Sequence, residues 1–469
     1  MQPTSVADIA SAIGGELNHV PNPAAVVDQP IVFDSREAKP GALFAALVGE
    51  TSDGHDYAKA AVDAGAVAVL ATRPVGVPAI VVDDVLAALA RLAQHLVRGL
   101  DQTVIVGITG SAGKTSTKDL IAALLSQAGP TVATYRSFNN EIGLPVTISR
   151  ADSSTAYLVL EMGARGVGHI RDLTRIAPPR IAVVTNVGTA HVGEFGGRDK
   201  IAQAKGELVE ALPPGGLAVL NADDPFVREM ANRTQARVVT FGLATNATVR
   251  ATDLVINSDG APRFTLHTPE DTAQVELKLV GEHQVANALA AAAVAREAGL
   301  TVHRIAELLS AATVQSPWRM EVHQRGDGVT IVNDAYNANP DSMTKSLGAL
   351  AAMGRGHNQR TIAVLGRMNE LGADSRSAHE AVGRIVAQLA LNQLVAVGGE
   401  EAQWMQQAAA EAGALSALHM PDQDAALAVL RQTLRPGDVV LVKASRGVQL
   451  QQLAAALLQP DPEADLTNA

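Results

Sequence analysis

The chain has 469 residues, 47% of them hydrophobic and 18% charged, and a formal net charge of -11. At about 150 residues per domain this length accommodates roughly three domains, and the apolar fraction excludes a largely disordered chain. The acidic balance, without a long Lys/Arg stripe, argues against nucleic acid as the main ligand, and the absence of cysteine excludes disulfides, thiolate metal sites and a cysteine nucleophile.

The first residues, MQPTSVADIASAIGG, lack the basic segment and apolar run of a signal peptide. Runs such as ANALAAAAVA at 286–295 are too short to span a bilayer, so a soluble cytoplasmic protein without membrane insertion is expected. The first hundred residues are less regular than the rest, and the helical ALARLAQHLVRGL leads into TVIVGIT at 103–109, an apolar strand pattern. KTSTKDLIAALLSQAG then reads as a helix stopped by Gly129 and Pro130. AYLVLEM at 156–162, RIAVVTNV at 180–187 and GLAVLN at 216–221 read as buried strands, with the helix RDKIAQAKGELVEAL between the last two.

From 248 to 280 the pattern turns to alternating strands, VRATDLVI, RFTLHT and QVELKLV, expected as edge hairpins. Two helices follow, HQVANALAAAAVAREAG and VHRIAELLSAA. After QSPWRM the alternation restarts with GVTIVND, TIAVLG, QLVAVGG and DVVLVKA, as in a second doubly wound domain. The tail DPEADLTNA reads as disordered. The expected fold is α/β in three domains: a small α/β N-terminal domain (1–98), a central P-loop mononucleotide-binding domain with a mainly parallel sheet (99–314) and a C-terminal Rossmann-like domain (315–469).

GITGSAGKTST at 107–117 lies between the predicted strand and helix. The common phosphate-binding loop, G-x-x-x-x-G-K-[ST], would put its first glycine at Ile108, yet the glycines stand at Gly107 and Gly110. A phosphate bound here would meet unpaired N–H groups and the positive end of the helix dipole, with Lys114 neutralising charge and Thr115 holding a metal ion. Glu161 ends an apolar strand, where a carboxylate can bind Mg²⁺ as a hard oxygen ligand or simply be solvated. Read alone, His191 in TNVGTAHVGEFG is as well explained as a packed loop residue, Lys205 in QAKGEL as a surface lysine and Asp334 as a strand-end cap.

Taken together these residues resemble the Mur ligase family, ATP-dependent amide-forming enzymes of bacterial cell-wall precursor synthesis, whose loop is spelled T-G-x-x-G-K-T. The resemblance implies an ATP loop of Gly110, Ser111, Ala112, Gly113, Lys114, Thr115 and Ser116, with Lys114 on the γ-phosphate. Two Mg²⁺ ions are implied, one at Thr115 and Glu161 and a second at His191. Lys205 matches a lysine that many members carry as a carbamate, giving a carboxylate-like metal ligand. Asn287 in HQVANALAAAA is implied on the adenine side, with Gln284 where the family has Asn. Arg319 in PWRM matches an arginine at the γ-phosphate, and Asp334 in NDAYNANPDSM a contact to the ribose.

VFDSREAKPGALFAALVGETSDGHDYAKAAVDAGA at 32–66 is similar to the uridine-nucleotide-binding domain of the branch that adds D-alanyl-D-alanine, implying contacts from Ser35 and Arg36. FNNEIGLP at 138–145 and LGRMNELGADSRSAHEAVG at 365–383 look like the same branch, and Asn139, Asn140, Lys443, Ser445 and Arg446 fall in the acceptor and substrate region. Two positions depart from the pattern: Arg367 replaces an acid, and Ala444 a glycine. The implied enzyme acts on UDP-N-acetylmuramoyl-tripeptide, D-alanyl-D-alanine and ATP; nothing in the sequence suggests an obligate assembly, and a monomer is expected. A carboxylate needs a leaving group before an amine can attack it, and phosphorylation to an acyl phosphate provides one; fixed cations and Mg²⁺ stabilise the charge that develops. A relative adding a single amino acid, folylpolyglutamate synthase and a P-loop regulatory ATPase remain alternatives.

Overall fold

The structure is a computed structural model that describes residues 1–49, 51–135, 137–188 and 192–459, with only the backbone of Val192 and Glu194. His191 and the tail DPEADLTNA lie outside the described residues. The fold is α/β, as expected, built on three main sheets.

Near the N-terminus, the buried strands Leu43–Ala45, Ala68–Ala71 and Ala79–Val81 pair in parallel, and Glu16–Asn18 adds an antiparallel edge. The helix Val85–Arg98 starts at Asp84, whose carboxylate accepts from the Ala87 N–H and so satisfies one of the free donors of the first turn. Its buried Leu89, Leu92 and Leu96 enter a hydrophobic core that continues through Leu144, Leu160 and Ala182. Apolar packing therefore runs across residue 98, and the Ile31 N–H adds a buried hydrogen bond to Ser149 Oγ at 3.0 Å.

The central sheet has nine strands, in the order Thr272–Glu276, Pro262–His267, Val249–Ile256, Arg237–Gly242, Leu217–Asn221, Ile181–Val184, Val104–Thr109, Tyr157–Glu161 and Thr131–Ala133. Neighbours from Val249–Ile256 to Thr131–Ala133 are parallel, and the middle strands are apolar on both faces because layers cover both sides. The expected hairpins form antiparallel pairs at one edge, and their alternate burial fits a sheet with one wet face.

His283–Glu297 is buried almost all round, which its alanines permit. Asn287 on this helix meets the loop helix Lys114–Leu125, where Thr117 Oγ1 donates to Asn287 Oδ1 at 3.1 Å. Positions three and four residues on, Ala290 and Ala291, continue that face.

The C-terminal sheet has six strands: Glu321–Gln324, Thr330–Asn333, Val439–Lys443, Thr361–Leu365, Gln393–Val397 and Ala417–Met420. All but the first are parallel, so the restart of strand and helix patterns does build a doubly wound sheet. Among the described residues no helix is long and apolar enough to cross a membrane.

Ala291 is fully buried on the face that meets the loop helix. Ala291→Leu should overpack this contact and lower stability by about 1–3 kcal/mol. Chemical denaturation would read this as a lower midpoint at unchanged slope; an unchanged midpoint would show that the helices can separate freely.

Candidate active site

Strand register assembles the site. In the central sheet Thr109 lies opposite Val184, and Ile108 opposite Glu161, so the ends of three parallel strands open on the same side. The loop after Thr109 closes at Gly113, which has φ +80 and leads into the helix at Lys114. A Cβ on Gly113 would stand 2.6 Å from Asn287 Oδ1, so the position suits glycine on both backbone and steric grounds. Asn287 also donates to Gln284 Oε1 at 2.9 Å, so the glutamine at that departure still supplies an amide contact. The loop is fastened to the next strand exit: the Ser111 N–H donates to Asn186 O at 3.0 Å, and the Ala112 N–H to Asn186 Oδ1 at 2.9 Å. Asn186 was not singled out in the sequence; its signal is a lone amide just past the apolar IAVVT.

Glu161 is fully buried. Its carboxylate accepts from Thr115 Oγ1 at 2.8 Å, Ser137 Oγ at 2.8 Å and Asn139 Nδ2 at 2.7 Å. Burial alone would raise its pKa, but Lys114 and Arg319, with the bonds from Asn139 and Thr115, outweigh that and hold it below the usual carboxylate value. Lys114 Nζ donates to Gly110 O at 2.7 Å. Its pKa is lowered, chiefly by burial and also by Arg319, with Glu161 opposing. Lys205 is 4% exposed and turned inward, contrary to a surface lysine. Burial first, and the charge of Lys114 second, push its pKa well below the ordinary value.

Arg319 is framed by two non-glycine residues in the left-handed region, Trp318 at φ 61 and Met320 at φ 52. Such conformations persist only where neighbours fix them. Here the Trp318 N–H donates to Glu321 Oε2 at 3.1 Å and the Met320 N–H to Asp334 Oδ1 at 3.0 Å. Asp334 Oδ2 in turn accepts from Lys443 Nζ at 2.6 Å and Ser346 Oγ at 2.7 Å. Asn333 and Val442 are paired in register, which sets Asp334 beside Lys443 at adjoining strand ends. The structure thus joins two residues that the sequence had given separate roles, ribose contact and acceptor site.

A cavity of about 1320 Å³ lies between the central and C-terminal sheets and brings together Lys114, Glu161, Lys205, Arg319, Asp334 and Arg446. Asn139, Asn140, Lys443 and Ser445 also line it. His283, passed over in the sequence, reaches it too; burial, then Lys345, lower its pKa to about 4 against the pull of Asp334. Ser35 and Arg36 are not among its lining residues. Arg36 is exposed and forks onto Asp34 at 2.6 Å, while the neighbouring Phe33 packs 5.7 Å from Phe138. Of the departures, Ala444 is buried against Gly366, and Arg367 extends toward Glu401 at 3.9 Å.

Family models match three stretches of the chain: the Mur ligase family catalytic domain over 30–96, the Mur ligase middle domain over 108–295 and the Mur ligase glutamate ligase domain over 318–446. The chain belongs to the Mur ligase family. Among relatives, it is 48% identical to the UDP-N-acetylmuramoyl-tripeptide--D-alanyl-D-alanine ligase of Mycobacterium tuberculosis, covering 97% of this chain and 98% of that one. It is 34% identical to the Escherichia coli protein of the same name, with the same coverage. Among solved structures, MurF from Acinetobacter baumannii superposes with a TM-score of 0.86 at 31% identity, covering 98% and 100% of the two chains. MurF from Thermotoga maritima in complex with ADP gives 0.79 at 31% identity, covering 92% and 97%.

In this Mur ligase the buried Lys205 gives a test by pH. Its folded-state pKa lies below the unfolded 10.5, so the folded protein binds fewer protons and stability rises with pH up to that value. Lys205→Met should therefore raise the melting temperature at pH 7 in carbon-dioxide-free buffer, with the gain shrinking as pH approaches 10.5. A pH-independent difference would mean that burial does not lower the pKa of Lys205.

Proposed function

We infer that the chain joins D-alanyl-D-alanine to UDP-N-acetylmuramoyl-tripeptide through an acyl phosphate, giving the pentapeptide precursor of peptidoglycan, ADP and phosphate. The observation that carries this reading is the single cavity in which Lys114, Glu161 and Arg319 face Asp334, Lys443 and Arg446, on a chain similar over its length to enzymes of that name.

Two anions, the tripeptide carboxylate and the γ-phosphate of ATP, have to meet in this reaction. Lys114 and Arg319 supply fixed cations for that encounter, and the free N–H groups at the start of the loop helix cradle phosphate oxygens. Gly110, Ser111, Ala112, Gly113, Thr115 and Ser116 shape the ATP loop, and Asn287, behind Gly113, is proposed on the adenine side. Asp334 accepts from Lys443, Ser346 and the Met320 N–H, which leaves acceptor capacity on Oδ1, and it is proposed to contact the ribose there.

Thr115 Oγ1 and Glu161 Oε2, hard oxygens 2.8 Å apart beside the loop, fit a Mg²⁺ ion, which takes few protein ligands. When bound, Mg²⁺ supplies charge neutralisation and orients the phosphates. A second ion is proposed at His191 and a carbamate on Lys205. The depressed pKa of Lys205 supports the carbamate, since a neutral amine adds to the carbon of CO₂, forming an N–C bond and releasing a proton.

Ser35 and Arg36 are proposed for the uridine nucleotide, and Asn139, Asn140, Lys443, Ser445 and Arg446 for the acceptor and substrate region. Domains of 1–98, 99–314 and 315–469, a monomeric state and a cytoplasmic location complete the reading.

The deciding experiment is ATP-dependent phosphate release with the UDP-tripeptide and the dipeptide present together and each withheld in turn. Release needing both, with a new UDP-pentapeptide mass, is expected; release indifferent to them would move the chain to an ATPase. For the carbamate, Lys205→Ala should lose at least about tenfold in kcat and regain part of it with added formate or acetate. Full activity of the untreated variant would remove that assignment.

A further inference from the structure

Tyr336 follows Asp334 by two residues and lines the cavity, yet none of the roles above uses it. Its ring carries two guanidinium groups. Arg319 Cζ lies 4.1 Å from the ring centroid and Arg446 Cζ 5.3 Å, and Arg446 Nη1 donates to the Tyr336 hydroxyl oxygen at 3.3 Å. Trp318 stacks on the same ring at 6.5 Å and 29°, while the Tyr336 N–H donates to Trp318 O at 3.2 Å. Ring and strained segment are therefore tied by backbone and side chain together.

Neither arginine forms an ion pair with a carboxylate among the described residues, and Arg319 Nε is buried without a hydrogen-bond partner. Two like charges set beside one ring repel each other, and the negative face of the π system offsets only part of that. An anion beside each guanidinium would offset that repulsion. Arg319 already acts on Lys114 and Glu161 at the nucleotide loop, whereas Arg446 comes from the turn after Val439–Lys443.

We propose that Tyr336 is a positioning residue that holds Arg319 toward the transferring phosphoryl group and Arg446 toward the carboxylate of the incoming dipeptide, fixing the spacing between the two. The ring aligns Arg319 by stacking; the hydroxyl orients Arg446 by its hydrogen bond. The two functions are separable. This rests on the ligase reading.

The test is steady-state kinetics of Tyr336→Phe, Tyr336→Leu and Tyr336→Met, with ATP and dipeptide varied separately. Tyr336→Phe keeps the ring, so kcat and the KM for ATP should stay within about twofold of wild type while the KM for the dipeptide rises about threefold or more. Tyr336→Leu and Tyr336→Met lose the ring and should drop kcat about tenfold or more and raise the KM for ATP, at an unchanged melting temperature. An unchanged dipeptide KM in the Phe variant, or near-native kinetics in either aliphatic variant, overturns the proposal. So does a Phe variant as impaired in kcat as the aliphatic ones, because the hydroxyl would then take part in the chemistry. The Phe and Met variants decide if Leu fails to fold. Failure of the ligase reading appears instead in the wild-type arm, as absence of pentapeptide.

Discussion

A carboxylate without access to water, Glu161, sets the terms for everything around it. Burying an ion costs several kcal/mol unless opposite charges and hydrogen bonds replace its hydration. At Glu161 the replacement comes from three side-chain donors, Thr115, Ser137 and Asn139, and from the nearby charges of Lys114 and Arg319. These five residues come from three segments, so keeping one carboxylate ionised ties the loop helix, residues 137–139 and the 318–320 segment to one another. Removing any donor leaves an under-solvated charge in the site.

The same device recurs on the C-terminal sheet with the signs shared differently. Asp334 and Lys443 form a buried pair, 8% and 3% exposed, and the second carboxylate oxygen is used to grip the Met320 N–H. That grip holds the left-handed Met320 on one side of Arg319, as Glu321 holds Trp318 on the other, and Arg319 in turn helps to keep Glu161 charged. The two sheets are thus coupled through a short chain of charges, Lys443 to Asp334 to the 318–320 segment to Glu161. A displacement of the C-terminal sheet would therefore be felt at the phosphate loop.

Much of the frame was legible in the sequence because strands buried on both faces must be apolar throughout, as VIVGIT, IAVV and VVLVK are, and because hairpins with one wet face must alternate, as Val249–Ile256 does. The loop and Glu161 were legible because chemistry after a strand end leaves polar residues next to such runs. What stayed hidden depends on register between distant strands. Nothing local tells that Asp334 will face Lys443, more than a hundred residues later, or that Asn186 will fasten the loop. Lys205 was hidden for another reason: a helix lysine looks the same in sequence whether it points to water or inward, and only its motif neighbours separated the two. The core shared across residue 98 was equally invisible, since composition marks where a helix lies but not which sheet it packs on.

The unusual spelling of the loop follows from its neighbours. Ile108, where the common pattern has glycine, is fully buried and lies opposite Glu161 and Val183 within the central sheet, so the chain is still a strand there and an apolar side chain is wanted. Freedom from a side chain is needed two residues later, at Gly110, where a Cβ would collide with Thr185 Oγ1 at the adjoining strand exit. Thr185 cannot retreat without losing its bond to Ala112 O at 2.8 Å, which shapes the loop from beneath. The first glycine stands at 110 because the next strand's exit, rather than the phosphate alone, determines where the backbone must pass close.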